Sequence, residues 1–512
     1  MPARVLMVVG TTSSAGKSLL VTALCRIYAR RGIRVAPFKA QNISNNAAVC
    51  ADGSEIGRAQ AVQAAAAGIE PTAQMNPLLL KPEAESRSQI VFLGRPLNTE
   101  FARTYVERRQ ALWGTVTASL DYLREAYQLV IIEGAGSPVE LNIKSGDIVN
   151  MAVARYAQAP VLLVGDIDRG GVFAQLLGTL WLLEPEEREL IRGLVVNKFR
   201  GDLSLFTDGV EILEERGGVP VLGVVPYIRD RGLEPSVGIP EEDAVALDEP
   251  LFDHIGDGDT DIAVIKLPLI SNFDDFEPLA AEPGVCVRYV SSLEALGRPD
   301  AVILPGTKST VADLAWLRER GLARRIARLA REGIPVVGIC GGYQMLGRSI
   351  RDPEHVESPV DEVAGLDLLP IHTTFGCEKA THRVEAVVLD APGWLSALRG
   401  TVIRGYEIHM GRTDTPRPWL KITQRSGQPV CVRDGTTSSD GRMWGCYLHG
   451  LFENERLRRA WLSTLGWNPD GQQAPSLEGY EVAFERLADA VEGALDMEKL
   501  DAILGYGGQE VP

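Results

Sequence analysis

Histidine, cysteine and long apolar runs are all scarce in this sequence of 512 residues, and each scarcity closes off a class of protein. Seven cysteines, an odd number with no CxxC pair, make neither a disulfide framework nor a structural zinc site, so the thiols read as reduced. No apolar run approaches the roughly 20 residues needed to span a bilayer. The opening MPARVLMVVGTT enters an apolar strand and a glycine loop without a basic region, a signal-type segment or a cleavage site. These absences predict a cytoplasmic protein. Positive charge is also short, with 52 Lys and Arg against 68 Asp and Glu and a formal net charge of -16. That balance argues against a general nucleic-acid or anionic-membrane surface, while leaving room for a local phosphate site.

What is present is enough apolar residue, 45% over this length, for two or three compact domains. Short runs that are apolar along their whole length recur at 5–9, 33–38, 129–132, 161–164, 194–196 and 221–225, separated by helix-like or loop segments. That pattern predicts a parallel sheet covered on both faces, an α/β domain over residues 1–235. Residues 236–260 are rich in acid, Gly and Pro without a sustained period, which reads as a linker. A second α/β series begins at 262–267 and continues through 285–290, 301–304 and 336–339, giving a domain over 261–460. Runs at 384–389, 401–409 and 443–448 read as an antiparallel extension of it. Residues 461–512 form a C-terminal extension, with one amphipathic helix expected from Leu477 to Leu504.

Two constellations carry chemistry. Gly10 to Ser18 reads GTTSSAGKS between the strand VLMVV and the helix-like LLVTALCRIYARR. A loop of this kind, here Gly10, Thr11, Ser14, Ala15 and Gly16 with Lys17 and Ser18, holds phosphate on its amides and the helix N-terminus. Lys17 reaches the terminal phosphates and Ser18 can ligate magnesium. Five residues separate Gly10 from Gly16, one more than in the standard pattern. Glu133 ends the strand LVIIE and opens EGAGS, where a P-loop enzyme presents an acid toward magnesium. Two unusually polar segments, FKAQNISNN and ADGSEIGRAQ, offer Lys39, Gln41, Asn42, Asp52 and Glu55 to position nucleotide, metal or an acceptor carboxylate. Each, taken alone, also reads as an ordinary loop residue. Asp147, Asp166 and Asp168 share that ambiguity.

The second constellation is GICGGYQMLG, in which the strand PVVGI runs into Cys340. A nucleophile on a sharp strand-to-helix turn between small residues has its sulfur exposed near a helix N-terminus that favours the thiolate. Such a thiolate can attack the side-chain amide of glutamine, with the amides of Gly341 and Gly306 as the oxyanion hole. Six histidines compete as the base, and His449, which ends the late apolar strand of WGCYLHGLF, is preferred over His409 in GYEIHMG. The group that orients this base is open. Glu453 lies four residues beyond His449, Leu451 occupies the position two beyond, and Glu407 or a backbone carbonyl are the alternatives.

The loop variant resembles dethiobiotin synthetase and its relatives, and the chain as a whole resembles the cobyric acid synthase family of cobalamin biosynthesis. The motifs that carry the resemblance run in order along nearly the whole chain: GTTSSAGKS, PFKAQNISNN, DGSEIGRAQ, EGAGSPVELN, GDIVNMAVA, GDIDRGGVFAQ, VVNKFRGD, LPGTKST, GICGGYQMLG, GYEIHMG and YLHGLFEN. The resemblance implies a dethiobiotin synthetase-like P-loop domain followed by a class I glutamine amidotransferase-like domain. It adds Asn197 of VVNKFRGD to the nucleotide site and implies ATP and magnesium as cofactors. The reaction it implies is amidation of the b, d, e and g carboxylates of adenosylcobyrinic acid a,c-diamide, with L-glutamine as the nitrogen source. Members of this family generally lack the full class I triad. Cobyrinic acid a,c-diamide synthase is the nearest alternative, and a P-loop partitioning-type ATPase switch is the alternative of another class. Oligomeric state is left open, a homodimer included.

Overall fold

The computed structural model describes residues 2–84, 87–97, 109–228, 259–468 and 479–506. The expected linker, apart from its last two residues, lies outside these, and Thr260 already begins a strand. The first sheet is built from β1 (Arg4–Gly10), β2 (Val35–Phe38), β3 (Leu129–Glu133), β4 (Val161–Asp166), β5 (Ile191–Phe199) and β6 (Val221–Pro226), in the order β6-β5-β4-β1-β3-β2. All its pairings are parallel. Its strands are apolar throughout because both faces are covered: Val5, Met7 and Val9 enter one buried cluster, Leu6 and Val8 the other. β1 lies between β3 and β4, so the glycine loop that follows it opens into the crevice where strand order reverses.

The tail differs from the expected single helix. It forms α3 (Gly479–Ala494) and α4 (Met497–Ile503), broken where Asp496 caps α4 by accepting from the Lys499 amide. Leu477, the expected start, lies outside the described residues. Leu487, Val491, Leu495 and Leu500 join the buried cluster that holds Leu20, Leu24 and Ile27 of α1 (Lys17–Arg30). The end of the chain therefore completes one face of the first domain.

The second sheet has the order β8-β7-β9-β10-β11, from β7 (Thr260–Ile265), β8 (Val285–Val290), β9 (Ala301–Leu304), β10 (Val336–Ile339) and β11 (Met443–Cys446). The run at 443–448 is not part of the expected antiparallel extension. Instead β11 runs parallel beside β10, with Ile339 opposite Cys446, and is edged by antiparallel Thr436–Thr437. Trp444 and Cys446 are wholly buried, as a strand covered on both faces requires. The runs at 384–389 and 401–409 do form an antiparallel sheet, in which His372–Val388 pairs Val402–Thr413 and Leu420–Arg425. No described helix is long and apolar enough to cross a membrane.

Candidate active sites

Cys340 follows β10 with φ 50° and ψ -108°, a backbone position that a side chain occupies only when its surroundings force it. The forcing is visible: the Cys340 amide donates to Cys446 O at 2.9 Å, and a Cβ on Gly342 would meet Leu304 O at 1.9 Å. Because β11 ends level with β10, its continuation brings His449 beside the sulfur. Gly306 packs under this histidine, where a Cβ would come within 2.8 Å of His449 Cε1, and Gly341 lies against Thr307.

The orienting group is Asp275. His449 Nδ1 donates to Asp275 Oδ2 at 2.6 Å, and the Gly450 amide donates to Asp275 Oδ1 at 2.8 Å. Both side chains are buried, at 2% and 3% exposure. Burial pulls the imidazole pKa down, but the Asp275 charge and hydrogen bond, with Cys340 adding to them, carry it up to about 10. His449 is therefore a cation facing the sulfur at neutral pH.

None of the sequence candidates for this role fills it. Glu407 is taken by Arg425 at 2.7 Å and by His409 at 3.3 Å. Glu453 lies 3.7 Å from Arg58. His409, the alternative base, stacks on Tyr447 with ring centroids 3.8 Å apart, and its Nδ1 donates to Gly411 O at 2.8 Å. No local motif marks Asp275 as the orienting acid. The signal that could have found it is the pair of acids set between Phe273 and Phe276 just after the first strand of the domain, an environment too apolar for solvated carboxylates.

Cys340, Gly341 and His449 line a cavity of about 840 Å³ whose far wall comes from the first domain, including Lys81 and Gln89. Glu55, expected near the acceptor carboxylate, lies at this junction, 2.5 Å from both Lys81 and Lys379. Burial opposes its charge, but the two ammonium groups hold its carboxyl well below the usual range.

The phosphate loop is compact. Gly16 has φ 88°, and a Cβ there would lie 2.2 Å from Asn197 Nδ2, which donates to Ala15 O at 2.8 Å. Thr11 donates to Gln175 Oε1 at 3.0 Å, Ser14 is half-buried, and Lys17 Nζ donates to Thr12 O at 2.9 Å. Ser18 donates to Glu133 Oε1 at 2.9 Å, and Lys39 Nζ pairs with the same oxygen at 2.7 Å. Glu133 is wholly buried; burial opposes ionisation, yet Lys39, with Gln63 and Lys17, outweighs it and keeps the carboxyl below its ordinary range. A hydroxyl and an ionised carboxylate at the phosphate loop are the donor set a magnesium ion takes alongside phosphate oxygens and water, so these residues fit that ion.

Asn42 donates to Gln60 Oε1 at 3.1 Å, whose amide reaches Glu133 Oε2 at 3.5 Å, while Gln41 lies in the strand Gln41–Ile43 alongside Leu78. Two residues are not gathered here. Asp52 is exposed and accepts from the amide and hydroxyl of Ser54 in its own turn. Asp147 spends both oxygens on the amides of Val149, Asn150 and Ala152, capping the helix Met151–Ala157.

Residues 6–238 match the CobQ/CobB/MinD/ParA nucleotide binding domain, and residues 261–457 the CobB/CobQ-like glutamine amidotransferase domain. A cobyric acid synthase of Chloroflexus aurantiacus is 56% identical over 508 residues, 98% of this chain and 100% of that protein. One from Roseiflexus castenholzii is 55% identical over 96% of this chain and 98% of that one. One from Moorella thermoacetica is 49% identical over 98% of each.

Proposed function

This chain belongs to the cobyric acid synthase family, and we propose on that premise that it uses ATP and glutamine to amidate the b, d, e and g carboxylates of adenosylcobyrinic acid a,c-diamide. The observation that carries the nitrogen-generating half is the buried His449–Asp275 pair beside Cys340. The thiolate attacks the carboxamide carbon of glutamine, and the amides of Gly306 and Gly341 take the developing oxyanion. His449 gives its proton to the departing nitrogen, ammonia leaves, and a thioester remains on Cys340. Neutral His449 then takes a proton from water, whose oxygen displaces the sulfur and releases glutamate.

A carboxylate is a poor electrophile, so the acceptor oxygen first attacks the γ-phosphorus of ATP, expelling ADP and leaving an acyl phosphate. Ammonia adds to that carbonyl and phosphate departs. Gly10, Gly16, Lys17 and Ser18 hold the transferring phosphoryl group, with Asn197 bracing the loop. Ser18 and Glu133 would hold a magnesium ion, which would supply charge neutralisation at the phosphates. Lys39 and Asn42 line the acceptor side, and Asp52 and Asp147 are left to turn geometry and helix capping. The relatives quoted above carry the cobyric acid synthase name, which favours this reading over the a,c-diamide synthase.

Cys340→Ser tests the division of labour. Glutamine-dependent synthesis should fall by about 10³-fold or more, while synthesis from added ammonium persists. An unchanged glutamine rate would remove Cys340 from the mechanism.

A further inference from the structure

The helix α2 (Arg58–Ala66) touches both sites, which lie in different domains. At its first residue, Arg58 Nε pairs with Asp274 Oδ2 at 2.7 Å, and Asp274 is the immediate neighbour of the carboxylate that holds His449. Two and five residues on, Gln60 and Gln63 donate to Glu133 Oε2 at 3.5 and 2.5 Å. The same junction is pinned beside Arg58 by Asn46, whose Oδ1 accepts from the Asn272 amide at 2.8 Å and whose carbonyl accepts from the Arg58 amide at 3.2 Å. Asn272, with φ 52°, begins the turn that carries both acids.

We infer that Arg58 is a positioning residue for glutamine hydrolysis supplied by the ATP-binding domain, and that α2 makes the His449–Asp275 pair respond to what occupies the Glu133 site. The physical need is specific. Two adjacent buried carboxylates sit in one short turn, and the His449 hydrogen bond goes to Asp275. Asp274, whose side chain is 4% exposed, has its counter-charge in Arg58. Without that cation a buried carboxylate must take up a proton or drag its turn toward water. Either change moves Asp275, and displacement of a catalytic group by about 1 Å can cost about 10² in rate.

The inference rests on the reading of the two sites given above, and its test separates the two. Glutamine hydrolysis is measured with and without ATP and corrinoid acceptor, and ammonia-dependent amidation alongside it, in the full-length protein and in Arg58→Ala, Arg58→Lys and Asp274→Asn. In Arg58→Ala the hydrolytic kcat should fall by about 10- to 100-fold, with the KM for glutamine and ammonia-dependent amidation close to wild type. Arg58→Lys should recover part of the loss, and hydrolysis in Arg58→Ala should no longer change when ATP and acceptor are added. Wild-type hydrolysis in Arg58→Ala, a loss confined to KM, or a parallel loss of ammonia-dependent amidation would each overturn the inference. If Arg58→Ala does not fold, Asp274→Asn decides, since its neutral amide needs no cation: hydrolysis blind to ATP supports the link, and a retained response to ATP refutes it. Failure of the functional reading itself would show separately, as a wild-type protein unable to amidate with ammonium.

Discussion

Asp275 carries its charge to His449 across 174 positions of sequence, and the consequence for pH dependence follows from the sign of that interaction. The carboxylate raises the imidazole pKa, so the imidazolium that protonates the leaving nitrogen persists to about 10. In Asp275→Asn the stabilising charge is gone while burial still disfavours the cation. The pKa must fall, and the alkaline limb of glutamine hydrolysis must move toward neutral pH. A kcat loss of about 10² to 10⁴ is expected from the change of tautomer and charge. The pH profile of kcat checks this, and a limb that stays in place would mean that another group holds His449. Cys340 and His449 were legible in the sequence because each is announced locally, one by a strand entering a glycine turn and the other by the end of a strand. Asp275 was not, because its role exists only once a distant turn is folded against β11.

At the scale of elements, the tail shows which forces hold the fold. Arg26, Arg30 and Arg31 of α1 and its end face Glu481, Glu485, Asp489, Glu492 and Asp501, a conspicuous ionic row. These pairs are partly solvated, Arg30 at 26% exposure and Asp489 at 69%, so screening leaves each worth under about 1 kcal/mol. Leu487 is buried at 3% exposure in the shared cluster, where truncation costs about 2–5 kcal/mol. Leu487→Ala should therefore destabilise the protein more than Arg30→Ala in denaturant titration, and the reverse order would show the tail to be held by charge. Its helical period was readable, whereas the break at Asp496 and the docking on α1 depend on contacts with the other end of the chain. The misreading of β11 has the same origin. A short apolar run does not reveal its direction until its partner is known, and here the partner is β10, more than a hundred residues earlier.

On the scale of the whole molecule, the two α/β units were legible from their alternating strands, but their junction was not. The polar segments that read as substrate-binding loops also make the contact between domains, through Glu55 to Lys379, Arg58 to Asp274 and Asn46 to Asn272. A reaction that makes ammonia in one unit and consumes it in the other needs such a junction. The decisive measurement supplies amide-¹⁵N-labelled glutamine, ATP, magnesium and adenosylcobyrinic acid a,c-diamide to the protein and determines the product mass. The expected product is adenosylcobyric acid with ¹⁵N in every newly formed amide, and none forms when ATP is omitted. An a,c-diamide left unamidated, or amides without label, would contradict the assignment.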